Sequence, residues 1–433
     1  MAMITPSTSA TTVSETTSSY TAPLAIVTTL FFMWGFLTCL NDILVPHLKS
    51  IFDLNYAQVM LVQFAFFGAY FLFSIPSAKI IDWMGYQRSM VAGLLTMGVG
   101  AFLFVPAASV PSFALFLVAL IVLAAGITCL QVAANPYVTV LGKPQTASSR
   151  LNLTQAFNSL GTFLAPFFGG LLILSTVPKS MEEIRAMAPD ALQAYRLHEA
   201  ATVKTPYVGL GIALVVLAAA IGSFKLPKIP QAQHKVGEKV NDSIWRHPNL
   251  IFGAIAIFVY VGAEVAIGSF LVNYFTQPDI GGLTQKVAAS FVAFYWGGAM
   301  VGRFIGSGLL QKMNTGLLLG ICAVCAAALV TISMLSTGHF AMWSIILVGF
   351  FNSIMFPSIF TLGVAELGPL TGDGSGIMIM AIVGGAIIPL AQGAIADRIG
   401  IHHAFFLPVV CYLYILFFAL SGSKPNSERH ART

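Results

Sequence analysis

Twelve apolar runs, each long enough to cross a bilayer, constrain this chain more than any other feature. A transmembrane helix needs about 20 mostly apolar residues. Runs of at least 18 lie near 22–46, 57–80, 88–108, 112–141, 149–175, 207–225, 249–276, 287–308, 316–336, 340–366, 374–396 and 401–421. Lipid offers no hydrogen bonds, so backbone groups in such runs must be bonded internally, as helices. The expected fold is an all-α membrane protein of twelve transmembrane helices. Only 9% of the residues are charged and 57% are hydrophobic, against roughly 25% charged in a soluble protein. The net charge of +5 would suggest a nucleic-acid partner in a soluble chain. Here the loops account for it, and no nucleic acid is expected.

Two connections are long. Residues 177–206 hold four basic and four acidic residues and read as short surface helices; residues 226–248 are polar, with Pro227, Pro230 and several Lys, and read as a linker. If the N-terminus is cytoplasmic, 14 of the 21 basic residues lie inside, Lys79, Arg88, Lys143, Arg150, Arg303 and Lys312 among them. The bias of Lys and Arg toward cytoplasmic loops therefore places both termini in the cytoplasm. The expected organisation is a disordered cytoplasmic tail (1–21), a six-helix bundle (22–225) with a periplasmic loop (177–206), a cytoplasmic linker (226–248), a second six-helix bundle (249–421) and a cytoplasmic tail (422–433). The first tail is Ser/Thr-rich and lacks Lys and Arg, so no cleaved signal is expected.

An internal repeat supports two halves. Pro136-x5-Gly142 in the fourth run matches Pro357-x5-Gly363 in the tenth, 221 residues on (357 less 136). Gly161-x4-Pro166-x3-Gly170 in the fifth matches Gly384-x4-Pro389-x3-Gly393 in the eleventh, 223 on (384 less 161). Two matches in successive runs at nearly one displacement argue for the parallel six-helix repeat of the major facilitator fold.

Of the sixteen acids, Asp42 and Glu264 are the two that lie well inside an apolar run. A charge at the bilayer centre costs about 2.5–3.5 kcal/mol on insertion scales, so such an acid faces a cavity or a partner. The two stand 222 residues apart, close to the repeat displacement, which places them across the pseudo-two-fold from each other. A desolvated carboxylate binds a proton more readily, so both are candidate proton-coupling groups. A structural role, bonded to neighbouring amides, is the competing reading for each.

Polar stripes accompany them. Thr128, Gln131 and Asn135 share one face of the fourth run; Gln155, Asn158 or Ser159, and Thr162 form a similar stripe in the fifth. Asn352 and Ser353 lie near Phe356, and Asn273 lies on the face opposite Glu264 unless Gly268-Ser269 breaks that helix and turns it inward. Each amide alone could be an interhelical bond of about 0.6 kcal/mol. Together with Trp34, Tyr295 and Trp296, they suggest a sugar site, because sugars take amide hydrogen bonds and aromatic faces. The candidate substrate-binding set is Trp34, Asp42, Gln131, Asn135, Gln155, Asn158, Glu264, Asn273, Tyr295, Asn352 and Phe356.

Metal chemistry has no ligands here. Cys322 and Cys325 have CxxC spacing without a second pair or a nearby His, whereas a structural zinc site needs four ligands. No nucleophile–base pair appears in the runs, so no enzyme activity, metal or cofactor is expected. The stretch AKIIDWMGYQRSM, with Asp82, Gly85 and Arg88, is similar to the major facilitator loop signature G-x-x-x-D-R-x-G-R-R, with Ala78 in place of its first Gly.

LNDILVPHL in the first run, AANPYVTVLG, RLNLTQAFNSLG, TPYVGLGIALV and FPSIFTLG resemble the fucose permease family of sugar:proton symporters. The likeness runs over nearly the whole chain. It implies a bacterial inner-membrane carrier, functional as a monomer, that takes a small-molecule sugar across the lipid bilayer by alternating access with a proton as coupling ion. It also implies a transport role for Asp42. A Glu that the family carries before AANP is Gln131 here, and a Tyr before the Pro of the tenth run is Phe356. CLQVAANPYV with YVGAEVAIGSFLVNY looks more like the glucose/galactose branch, with the second acid moved to Glu264. Import of a hexose by proton symport is the leading reading. Its alternatives are an N-acetylglucosamine or fucose symporter, a sodium-coupled carrier, and, further off, a drug:proton antiporter.

Overall fold

The computed structural model describes residues 20–52, 56–110, 112–172, 186–202, 204–227 and 243–424, with backbone alone at 39–52, 56–61, 63, 166–172, 199, 200 and 202. Regular structure among the described residues is helical throughout. The first half comprises α1 (Thr21–Phe52), α2 (Tyr56–Met84), α3 (Tyr86–Ser109), α4 (Phe113–Val140), α5 (Ala147–Leu172), a surface helix α6 (Pro189–Thr202) and α7 (Lys204–Ser223). The second comprises α8 (Pro248–Phe275), α9 (Gln285–Leu309), α10 (Thr315–Leu335), α11 (Gly338–Asn352), α12 (Met355–Gly363), α13 (Thr371–Met380), α14 (Gly384–Ile399), α15 (Ile401–Ala404) and α16 (Phe406–Phe417). Eleven stretches are long and apolar enough to span a membrane among the described residues, and α5, with 26 residues, is a further long helix. The expected surface helix in 177–206 is α6; residues 177–185 and the linker at 228–242 lie outside the described residues.

Helix direction alternates, so the start of α1, the end of α7 and the start of α8 share one face, which we call the linker face. At that face Gln87 Nε2 donates to the carbonyls of Ile221 and Phe224, at 2.8 and 2.6 Å, tying α3 to α7. Arg150 donates to the carbonyls of Val138, Thr139 and Lys143 and closes the end of α4. Asn249 does the same for α12 through the carbonyls of Leu362, Gly363 and Ala365.

The repeat is visible in packing. A Cβ on Gly161 would stand 2.2 Å from the Phe32 carbonyl oxygen, and one on Gly384 would stand 2.0 Å from that of Phe258. Glycine is therefore required at both crossings, α5 on α1 and α14 on α8. These contacts relate α1 to α8 by 226 residues (258 less 32), four more than the separation of Asp42 and Glu264. Glu264 is thus the counterpart of Thr38, and Asp42 that of Gly268, one helical turn nearer the face opposite the linker. The two acids are offset by a turn along the pseudo-two-fold axis rather than level with each other.

Three spans are interrupted among the described residues, and the first break is explained by a proline. Pro357 lacks an N–H, so the carbonyl four residues back, on Ser353, loses its intrahelical donor; α11 ends at Asn352 and α12 restarts at Met355. A second interrupted stretch passes through a 3₁₀ turn, Ala381–Val383, between α13 and α14, and a third breaks at Phe405 between α15 and α16. By contrast α8 is continuous through Gly268-Ser269, so of the two alternatives left open there the helix does not turn inward. Gly268 instead makes room for Trp296, whose ring would lie 3.0 Å from its Cβ.

Candidate coupling and substrate site

Glu264 sits seventeen residues into the 28-residue α8, with 13% of its side chain exposed. Tyr260, one turn earlier, donates its hydroxyl to Oε1 at 2.8 Å. The Arg303 guanidinium of α9 lies 3.9 Å from the same oxygen. Behind them is a tyrosine cage. Asn352 Nδ2 donates to the Tyr295 hydroxyl at 2.9 Å, and Tyr412 donates to Asn352 Oδ1 at 2.8 Å. The Tyr295 hydroxyl reaches the Glu264 carbonyl at 3.4 Å, and Tyr260 also lies 3.2 Å from the Asn352 carbonyl. These rings are fully buried. A buried hydroxyl without a partner costs about 1–3 kcal/mol, so the cage holds Glu264 by holding its neighbours.

The first half presents a smaller amide cluster. Gln131 of α4 donates Nε2 to the Tyr70 hydroxyl of α2 at 2.7 Å. Gln155 of α5 lies 3.5 Å from Asn135 Oδ1. Among the described residues, buried Gln131 Oε1, Asn135 Nδ2 and Thr38 Oγ1 have no hydrogen-bond partner. One donor, one acceptor and one hydroxyl are thus buried without a partner there, an arrangement that native interiors keep rare. Asn158 is used structurally: its Nδ2 donates to the Phe31 carbonyl of α1 at 2.9 Å.

Arg303 joins the halves. Besides Glu264, its Nε donates to the Ser353 carbonyl at 3.3 Å, the group that Pro357 leaves without a helical donor. Its Nη1 donates to the hydroxyl of Ser159 on α5, in the other half, and its own carbonyl accepts from Asn152 Nδ2 at 2.7 Å. The repeat-related Pro136 similarly frees the Val132 carbonyl, which accepts from Ser375 Oγ across the halves at 2.8 Å. Toward the linker face the seam continues through Ser149 to the Ser307 carbonyl at 2.6 Å, Ser148 to Thr361 at 2.6 Å and Lys79 to Asp373 at 2.8 Å. These contacts run from the middle of the bundle to the linker face, which is closed.

Of the residues singled out by sequence, the structure gathers Glu264, Tyr295 and Asn352 into one cluster, and Gln131, Asn135 and Gln155 into another. Tyr295 is fully buried and hydrogen-bonded rather than offering a face to a ligand; Trp34 is buried beside Phe31, with ring centroids 5.3 Å apart. Phe356, also buried, stacks on Phe360. Asn273 is exposed and stays on the face opposite Glu264, because α8 does not turn. The side chain of Asp42 lies outside the described residues, although its backbone belongs to α1. Sequence reasoning missed Arg303, which it placed among the loop cations, and the tyrosines Tyr70, Tyr260 and Tyr412. An arginine inside an apolar run was the available signal for Arg303. The loop motif is partly realised: Asp82 stands 3.6 Å from Lys79, and Gly85 adopts φ +78° between α2 and α3. Among the described residues no cluster of three metal-ligating side chains occurs, and Cys129, Cys322, Cys325 and Cys411 are free thiols.

Residues 24–383 match the Major Facilitator Superfamily profile. The chain is 53% identical over 412 residues to a glucose/galactose transporter of Brucella abortus biovar 1 (strain 9-941), covering 95% of this chain and 97% of that one. It is 37% identical over 413 residues to the L-fucose-proton symporter of Escherichia coli (strain K12), covering 94% of each. A crystal structure of the Major Facilitator Superfamily transporter FucP in the outward conformation superposes with a TM-score of 0.85 at 35% identity, covering 94% of this chain and all of that one. By profile, sequence and fold alike, this chain is a member of the Major Facilitator Superfamily.

Proposed function

We propose that the chain imports a hexose, glucose or galactose, by proton symport, its two halves exposing one central site alternately to either side. The observation that carries this reading is Glu264, a carboxylate buried in mid-bilayer, paired with Arg303 at the seam between the halves. Coupling needs a titratable group whose charged and neutral forms favour different arrangements, and Glu264 holds a contact that reaches from one half to the other. Asp42, a turn nearer the opposite face, is the second proton site. The unpartnered atoms of Gln131, Asn135 and Thr38 suit hydroxyl groups, each of which donates and accepts. The names of the full-length relatives support a sugar as cargo.

The basic residues set the orientation. Lys79, Lys143, Arg150 and Lys225 belong to the linker face, which supports reading that face, and with it both termini, as cytoplasmic in a bacterial inner membrane. The polar contacts that join the halves at the linker face, and the likeness to a structure in the outward conformation, support reading this conformation as the one that loads from outside. The protein acts as a monomeric carrier with no catalytic chemistry of its own and no cofactor beyond the coupling proton. Labelled glucose uptake into proteoliposomes under an imposed pH gradient tests the reading. Proton-driven accumulation is expected, and accumulation that requires sodium and ignores the pH gradient would reject proton coupling.

A further inference from the structure

The Arg303 guanidinium has more bonds than an ion pair needs, and they run in three directions. One goes to Glu264 on α8, one to the proline-freed carbonyl of Ser353 at the α11–α12 break, and one to Ser159 in the other half. Arginine presents a planar fork that can serve several acceptors at once. Only one of these acceptors carries charge. Facing Glu264 are Tyr260 from its own helix and Tyr295 and Arg303 from α9, with Tyr412 of α16 reaching it through Asn352. Among the described residues Arg303 is the cation that meets this carboxylate.

We propose that Arg303 is the positioning residue through which the protonation of Glu264 unlocks the linker-side seam. This deepens the proton-symport reading and rests on it. While Glu264 is ionised, the buried guanidinium is neutralised where it lies, and its fork holds Ser159 and the Ser353 carbonyl, keeping the halves closed. When Glu264 takes a proton, the cation is left buried with only neutral acceptors, and an unpaired buried charge is strongly unfavourable. The arrangement that relieves it is the one that hydrates Arg303. Arg303 is 14% exposed and lies on the inner side of the seam formed by Ser149, Ser307, Ser148 and Thr361, so opening the linker face admits that water. Proton binding therefore favours opening on the linker side, the direction that symport requires. The proline-related break makes the device mechanical as well, because the same guanidinium holds the joint between α11 and α12.

The test is a labelling cycle at one fixed pH, so that thiol reactivity is the same throughout. Ser148→Cys, at the seam, is introduced after Cys39, Cys129, Cys322, Cys325 and Cys411 are replaced by Ser or Ala, and its alkylation by N-ethylmaleimide is timed in proteoliposomes. Glu264→Gln, which imitates the protonated acid, is expected to speed labelling about fivefold by shifting the population toward the open seam. Adding Arg303→Gln is expected to bring the rate well below that of Glu264→Gln alone, though not fully to that of the parent, because the buried cation that drives opening is gone while its ties to Ser159 and the Ser353 carbonyl are lost with it. Because the double variant buries no lone charge, it keeps the cycle readable if Arg303→Gln alone does not fold. Equal acceleration by Glu264→Gln with and without Arg303 would overturn the proposal, as would no acceleration at all. The readout involves no sugar, so a failure of hexose transport leaves the labelling result to be judged separately.

Discussion

Glu264 is held by one cation and one hydroxyl donor, and these make different predictions. Glu264→Gln keeps the shape and removes the charge, so proton-driven accumulation of glucose should be lost while sugar exchange, which needs no net proton movement, persists at a reduced rate. Accumulation at the parental level would show the acid to be structural. Tyr260→Phe removes a charge-assisted bond worth about 1.5–3 kcal/mol, some of which the remaining Arg303 contact preserves. Accumulation should fall severalfold with the pH optimum displaced, as measured by uptake across a pH series. Glu264 was legible in the sequence because an acid inside an apolar run has no bland explanation as lipid-facing. Arg303 obeys the same rule, yet it lies near the end of its run, where a basic residue is indistinguishable from a loop cation. The buried tyrosines carried no signal, since an aromatic residue in a membrane helix is ordinary and only the fold shows whose hydroxyls converge.

Helix crossings and breaks were legible unevenly. The Gly161 and Gly384 pair, found as a repeat, marks real points of closest approach between α5 and α1 and between α14 and α8. Gly161→Ala would press a methyl into the Phe32 carbonyl and should cost about 1–3 kcal/mol, seen as a lower unfolding temperature in detergent by scanning fluorimetry. An unshifted transition would mean that the two helices can separate freely. The repeat-related prolines at 136 and 357 also act alike, since each frees a carbonyl that is then bonded from outside its helix. One Gly-Ser pair was left undecided by the sequence. Gly268-Ser269 looked like a hinge, but composition alone does not distinguish a glycine that bends a helix from one that admits a neighbour's ring, here Trp296. Packing also corrected the symmetry of the acids, because helix offsets of a single turn do not show in a displacement averaged over short motifs.

At the scale of the whole molecule, the closed linker face is a zipper of short polar contacts ending in Lys79 and Asp373. Lys79 is 63% exposed, and an exposed ion pair is worth about 0–1 kcal/mol. Removing either charge should therefore shift the balance of conformations modestly without unfolding the protein. The charge swap Lys79→Asp with Asp373→Lys should restore exchange rates that each single reversal disturbs, as measured by counterflow. If the swap behaves as the sum of the two reversals, the pair does not act across the seam. The twelve runs and two halves could be read at this scale from length, hydropathy and repeat alone, because a bilayer leaves few other solutions. The closed state of one face depends on side-chain contacts between distant segments, which no local pattern encodes.

Proteoliposomes loaded at neutral pH and diluted into mildly acidic, sodium-free buffer with labelled glucose test the central claim most directly. Uphill accumulation that collapses when a protonophore is added, and that is absent in Glu264→Gln, is the predicted result. Equilibration without accumulation in the parent protein, or accumulation that survives the protonophore, would contradict it.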